Sequence, residues 1–148
     1  MKKLLVLDVN GVLGIKEKKF KYYPEVKLFI KHCFLNYDVA FFSSMMCYNL
    51  DEVLINLLSE EQTNTVKFIY DRNNTDVDPE PINSWDTIKD VEKIKVLFPE
   101  HSVLICDNEA RKLRFNNPKN CLICPGYSLN HFEKLKVLIN NKFDDMIR

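Results

Sequence analysis

Lys2-Lys3-Leu4-Leu5-Val6-Leu7-Asp8-Val9-Asn10-Gly11 is the stretch on which the reading of this chain turns. Leu4 to Leu7 is a continuous apolar run, the pattern of a parallel strand covered on both faces by helices. Asp8 then falls at the strand's carboxyl end, where open α/β sheets place their ligands. Gly11 supplies a backbone able to turn sharply away from the sheet. A strand-end Asp also serves as a turn former or helix cap, so this segment taken alone leaves both roles open.

Outward from that strand, apolar runs recur at Leu4 to Val9, Asp38 to Phe42, Val66 to Tyr70, Ser102 to Cys106 and Cys121 to Cys124. Helical spacing fills the gaps. Pro24 stands at a first-turn position ahead of Val26, Phe29, Ile30, Cys33 and Phe34, and Asn36 ends that helix. Asn49 with Glu52 reads as a capping box ahead of Val53, Leu54, Leu57 and Leu58. Trp85 or Asp86 to Phe98 forms a further helical pattern, stopped by Pro99, and Leu129 to Ile139 forms another. Strands alternating with helices predict one α/β domain over residues 1–148, with a central five-stranded parallel sheet in a three-layer, Rossmann-like arrangement. Asp71 to Ser84, rich in Asn, Asp and Pro, is expected as an irregular loop or small insertion. The polar tail from Asn140 to Arg148 is expected to fray.

Composition narrows the class of function. Twenty-one basic residues balance 21 acidic ones for a net charge of zero, which argues against direct nucleic-acid binding or a membrane-surface role. No apolar stretch is long enough to span a bilayer, and the start lacks the apolar core of a signal peptide. The expectation is an intracellular, soluble protein. Five cysteines without framework spacing read as reduced core residues. Cys121-Leu122-Ile123-Cys124 is a CxxC pair only formally, because strand residues three apart point to opposite faces. His32, His101 and His131 have no partner spacing that suggests a metal site or triad.

Further polar groups stand at the ends or edges of other strands. Asp107-Asn108 follows Ser102 to Cys106, Ser43-Ser44 follows Val39 to Phe42, and Lys89 lies between them in sequence. In this order and spacing the groups resemble the four motifs of the haloacid dehalogenase superfamily. More narrowly, Leu4-Leu5-Val6-Leu7-Asp8, Phe42-Ser43-Ser44, Ile88-Lys89-Asp90 and Leu104-Ile105-Cys106-Asp107-Asn108 resemble the FCP/SCP group of C-terminal-domain phosphatases. Pro24-Glu25-Val26, Phe68-Ile69-Tyr70-Asp71, Asn117-Pro118 and Pro125-Gly126-Tyr127 add weaker matches. An Asn in the first motif is similar to a branch of the group seen in plants and protists.

The resemblance implies a Mg²⁺-dependent phosphatase-like domain. Asp8 would attack phosphorus and become an aspartyl phosphate. Mg²⁺ would be held by the Asp8 carboxylate, the Asn10 carbonyl and a side chain from Asp107 or Asn108. Ser43, Ser44 and the Gly11 turn would meet the phosphoryl oxygens, and Lys89 would neutralise charge there. Each position has a structural alternative: Ser43 as a turn cap, Lys89 on a solvated helix face with Lys93 in its place, and Asp107-Asn108 as a helix cap. Active members carry at position 10 an Asp that protonates the leaving oxygen and then deprotonates water. Asn10 cannot do either, which leaves a weakened hydrolase acting on leaving groups that are already acidic, or a silent module that binds phosphoprotein through the same cleft. A third outcome is an Asn introduced as a trap in an otherwise active enzyme; Gly11-Val12, also unlike the usual acidic and hydroxyl residues, favours a natural variant without separating the two.

Only a hairpin near Gly14 to Tyr22 and the small insertion have room to cover the site, so no large cap is expected. An open cleft suits a phosphorylated side chain on a protein or peptide, with Phe20, Tyr22 and Tyr23 as either core or contact residues. A monomer in the cytoplasm or nucleus completes the expectation, the nuclear setting being what better-known relatives of that group suggest.

Overall fold

In the computed structural model, which describes residues 1–147, the apolar run at the amino terminus divides by parity. Leu4 and Val6 face one core with Ala40, Phe42, Val103 and Ile105, while Leu5 and Leu7 face another with Val39, Phe41, Leu104 and Cys106. Successive strand residues point to opposite faces, so an unbroken apolar run requires a cover on both sides. This alternation produces three layers.

The chain runs β1 (Lys2–Leu7), a hairpin of β2 (Gly14–Lys16) and β3 (Phe20–Tyr22), α1 (Val26–Asn36), β4 (Asp38–Phe42), α2 (Cys47–Leu57), α3 (Glu60–Thr65) and β5 (Ile69–Tyr70). It continues through β6 (Asp76–Val77), β7 (Thr87–Ile88), α4 (Val91–Leu97), β8 (His101–Asp107), α5 (Ala110–Leu113), β9 (Cys121–Ile123) and α6 (His131–Ile147). The main sheet has five parallel strands in the order β5-β4-β1-β8-β9. Helices α1, α2 and α6 cover one face through residues such as Phe29, Leu54 and Phe132; α4 and α5 cover the other through Val91, Ile94 and Leu113. Chain connections leave β1 toward β4 on one side and return through β8 on the other. That reversal makes the carboxyl end of β1 a switch point, the crevice where such sheets bind ligands.

Several boundaries differ from the sequence reading. Helix α2 starts at Cys47, and Asn49 lies inside its first turn, donating its N–H to the Met46 carbonyl at 3.1 Å rather than capping. The expected strand from Val66 shrinks to Ile69–Tyr70, because α3, capped reciprocally by Ser59 and Gln62, takes up the chain before it. The helix expected from Trp85 or Asp86 begins only at Val91, since Thr87–Ile88 instead pairs antiparallel with Asp76–Val77. Residues 140–147, expected to fray, continue α6, which Phe143 anchors by stacking on Tyr37 with ring centroids 5.0 Å apart; Arg148 lies outside the described residues.

The hairpin over Gly14 to Tyr22 forms as expected and is tied to α2 by the Tyr22 hydroxyl, which donates to the Val53 carbonyl at 2.6 Å. Phe20, Tyr22 and Tyr23 pack against the core. Cys121 and Cys124 point into different cores, and all five cysteines are free thiols. No helix among the described residues is long and apolar enough to cross a membrane.

Candidate active site

Three neighbouring strands end in step. The Asp8 N–H donates to the Cys106 carbonyl at 2.9 Å, the Ser43 N–H to Tyr70 at 2.9 Å, and the Cys124 N–H to Asp107 at 2.8 Å. Each ladder therefore continues to the residue that carries the polar group, and Asp8, Ser43 and Asp107 are held by sheet hydrogen bonds rather than by mobile loops. All three are buried.

Lys89 reaches this row from the far side of the insertion. Its Nζ donates to Asp107 Oδ2 at 2.6 Å, to the Phe42 carbonyl at 2.7 Å and to Asp8 Oδ1 at 3.3 Å. With 1% of its side chain exposed, against 65% for Lys93, Lys89 is the buried cation and Lys93 a surface one paired with Asp76. Lys89 is not helical: it sits between β7 and the Asp90 cap of α4. Asn116, a residue without any local sequence signal, holds it there. The Asn116 amide donates to the Lys89 carbonyl at 2.8 Å and accepts from the Val91 N–H at 2.9 Å, while the Lys89 N–H donates to the Lys112 carbonyl at 2.9 Å.

Charge counts explain the titration. Two carboxylates share one buried ammonium. Burial pushes Asp8 up, Lys89 pulls it down and Asp107 pushes it up again, leaving it at about 7. Burial opposes charge on Lys89 as well, but Asp8 and Asp107 together outweigh it and hold its pKa above the ordinary value. The site is short of one positive charge.

The two candidates for the cation's side-chain ligand part company. Asp107 is fully engaged, with Oδ2 on Lys89 and Oδ1 accepting from the Glu109 N–H at 2.8 Å. The Asn108 amide lies against Asp8 Oδ2 at 3.1 Å and the Asn10 carbonyl oxygen at 3.0 Å. With its nitrogen turned inward, Asn108 donates to both oxygens and closes the cluster; with its oxygen inward, three oxygens converge on one point. That donor set suits Mg²⁺, which prefers hard oxygen ligands and keeps several waters. Among the described residues no cluster of three or more His, Cys, Asp or Glu side chains could hold a metal.

Gly11 makes this approach possible. Its φ of +87° is left-handed, and a Cβ there would collide with the Asn108 side chain. Its N–H, expected near phosphate, instead donates to the Gly14 carbonyl at 2.8 Å and builds the turn. Asn10 Oδ1 accepts from the Lys16 N–H at 2.9 Å, which orients the amide. Ser43 Oγ accepts from the Met45 N–H at 3.1 Å and keeps its hydroxyl hydrogen free to donate elsewhere, while the Ser44 hydroxyl is buried without a partner. Asp8, Asn10, Ser43 and Ser44 line an open cleft of about 430 Å³, joined by Lys16, Arg72 and Lys112, which the sequence reading did not single out.

Residues 3–142 match the model of one family, described as NLI interacting factor-like phosphatase. The chain belongs to that family. Solved structures agree on the fold. Fcp1, described as an essential RNA polymerase II CTD phosphatase, superposes with a TM-score of 0.61 at 10% identity over 95% of this chain and 49% of its own. Fission yeast Fcp1 carrying R271A and bound to beryllium fluoride gives 0.57 at 11% identity, over 95% of this chain and 50% of its own. An uncharacterized protein from Listeria monocytogenes serotype 4b gives 0.51 at 13%, over 93% and 99%. The chain thus spans about half the length of the Fcp1 structures. No curated protein is similar to it by sequence.

Proposed function

We propose that this phosphatase-like domain binds a phosphorylated protein segment in the cleft and takes the phosphoryl group onto Asp8, with slow release because of Asn10. The observation that carries the reading is the buried Lys89, which bridges Asp8 on the wall of the cleft to Asp107 behind it, with the Ser43 and Ser44 hydroxyls beside Asp8. An Asp8 oxygen forms the new bond to phosphorus as the bond to the leaving oxygen breaks; water then attacks the aspartyl phosphate and the Asp8–phosphorus bond breaks. Lys89 and Ser43 hold the phosphoryl oxygens through both displacements. Mg²⁺, held by Asp8, the Asn10 carbonyl and Asn108, would supply the missing positive charge when bound.

Asn10 changes the proton economy of this sequence. The amide donates a hydrogen bond to the leaving oxygen but carries no transferable proton, and it cannot deprotonate water in the second displacement. Leaving groups that depart as stable anions, aryl and acyl phosphates among them, escape the first difficulty and not the second. A second reading follows from the same residue: with both proton transfers removed, the cleft serves as a phosphoprotein-binding module that does not turn over.

Hydrolysis of an aryl phosphate and of a phosphopeptide by wild-type, Asp8→Ala and Asn10→Asp proteins in Mg²⁺ separates these readings. Wild-type turnover lost in Asp8→Ala supports the enzyme. Activity that appears only in Asn10→Asp supports the binding module. Absence of turnover in all three proteins, with no phosphopeptide bound, refutes both.

A further inference from the structure

The cleft does not end at Asp8 and Ser43. It continues between the β2–β3 hairpin and α2 as a second hollow of about 320 Å³, and the two share Lys16, Met45 and Asn49. Its walls mix apolar side chains, Phe20, Tyr22, Met45 and Val53, with charged ones. Lys16, Lys18 and Lys19 stand on the hairpin side, exposed, and no salt bridge among the described residues engages any of them. Across the cleft, Arg72 donates to the Trp85 carbonyl at 3.0 Å and Lys112 to the Thr87 carbonyl and hydroxyl, each at 3.2 Å. Those acceptors are neutral, so both charges remain uncompensated. The acids along the same walls are Asp8, Glu17, Glu52 and Glu109, one fewer than the five cations Lys16, Lys18, Lys19, Arg72 and Lys112. A chain with zero net charge has therefore gathered an excess of cations along one continuous groove that starts at its candidate nucleophile.

We propose that this groove selects phosphorylated segments that carry acidic residues on the side of the phosphoresidue lying along the hairpin. The inference deepens the reading of the cleft given above and rests on it. Lys16, Arg72 and Lys112 meet the immediate surroundings of the phosphate, and Lys18 and Lys19 meet carboxylates farther along. Lys16 belongs to both parts of the site, because its backbone N–H fixes Asn10 while its side chain opens the groove.

The test uses two phosphoserine peptides, one flanked by glutamates and one by alanines, with Mg²⁺ and fluorescence anisotropy as the readout. Each exposed charge pair changes affinity by a factor of about 1.5 to 5. The acidic peptide is therefore expected to bind on the order of tenfold tighter, an advantage that shrinks as salt is raised. In the Lys18→Glu/Lys19→Glu protein the advantage should vanish, while binding of the alanine-flanked peptide and any aryl phosphate hydrolysis stay at the wild-type level. Equal affinity for the two peptides, or an acidic preference that survives the double substitution, would overturn the proposal and leave the cleft reading standing. A single-stranded oligonucleotide binding as tightly as the acidic phosphopeptide would overturn it in favour of a general polyanion surface. Failure of both phosphopeptides to bind would remove the cleft reading and this one together.

Discussion

Asp8 and Asp78 are both nearly inaccessible carboxylates with cations at hydrogen-bond distance, yet they are pushed in opposite directions. Asp8 shares one lysine with Asp107 and sits at about 7, burial being the leading cause. Asp78 has Arg114 at 2.5 Å and Arg111 at 3.4 Å, accepts from the Glu80 N–H at 2.8 Å and is drawn down to about 2, first by the Arg114 hydrogen bond. The balance of burial against neighbouring charge decides the outcome: burial leads at Asp8, where two acids share one lysine, and the Arg114 hydrogen bond leads at Asp78. One cluster lacks positive charge and so calls for a proton or a metal ion. The other is saturated and acts as a latch, holding the turn at Asp78 to Glu80 against α5, the helix that follows Asp107-Asn108. Arg72, at the start of the same insertion, ties it to the Trp85 carbonyl at its end, and Lys112 ties α5 to Thr87.

The sharpest way to break this contrast is to remove each acid. Asp8→Ala is expected to bring aryl phosphate hydrolysis down to the blank, whereas Asp78→Asn should keep activity within a few fold of wild type while lowering the melting temperature. Activity that survives loss of Asp8 would dissolve the distinction between a chemical cluster and a structural one. Next in size, Asn10→Asp restores a group able to exchange protons, and general acid–base catalysis typically contributes about 10² to 10⁴ in rate. A steady-state rate unchanged by this substitution would mean that position 10 does not limit turnover.

Titration separates the clusters a third way. Asp8 is raised in the folded state above a carboxyl's ordinary value of about 3.9, so the folded protein binds a proton that the unfolded chain does not between about pH 4 and 7. Stability of the metal-free protein therefore falls as pH rises through that window. Asp78 is depressed, so its contribution is fully present above about pH 4 and is lost as pH falls toward 2. Melting temperatures measured in EDTA should decline from pH 4 to 7, and Mg²⁺ should flatten the decline by supplying the missing charge. Asp8→Asn should melt above wild type in EDTA near pH 8. A rising curve over the same window would show that Lys89 alone compensates both acids.

The two clusters also differ in how far they were legible from sequence. Asp8, Ser43 and Asp107-Asn108 announce themselves because a buried parallel strand is an unbroken apolar run, and a polar residue at its end stands out. Lys89 could be named but not placed: Ile88, Val91 and Ile94 keep helical spacing straight through it, and the first turn is cancelled by distant partners, the pairing of Thr87–Ile88 with Asp76–Val77 and the amide of Asn116, 27 residues away. The Asp78 latch has no local pattern at all, since its arginines lie more than 30 residues along the chain. Helix α3 has no buried residue, so periodicity missed it even though Ser59 and Gln62 stand at capping-box spacing. The end of α6 was missed because Phe143 sits among Asn, Lys and Asp residues that mask its anchoring role.

The smallest expected effect tests the lysine assignment. Lys89 and Lys93 are four residues apart and equivalent by sequence, but one lies inside the charge-deficient cluster and the other pairs with Asp76 at 2.7 Å on the surface. An exposed pair is screened by salt and offset by the entropy of holding two side chains. Lys93→Ala should therefore leave aryl phosphate hydrolysis unchanged and shift the melting temperature by little more than the measurement error, with even that shift fading at high salt. Lys89→Met leaves Asp8 and Asp107 facing each other without a counter-charge, so it should destabilise the metal-free protein and abolish turnover. If the two substitutions exchanged these outcomes, the cation between Asp8 and Asp107 would be Lys93, and the charge deficit that distinguishes Asp8 from Asp78 would need a different source.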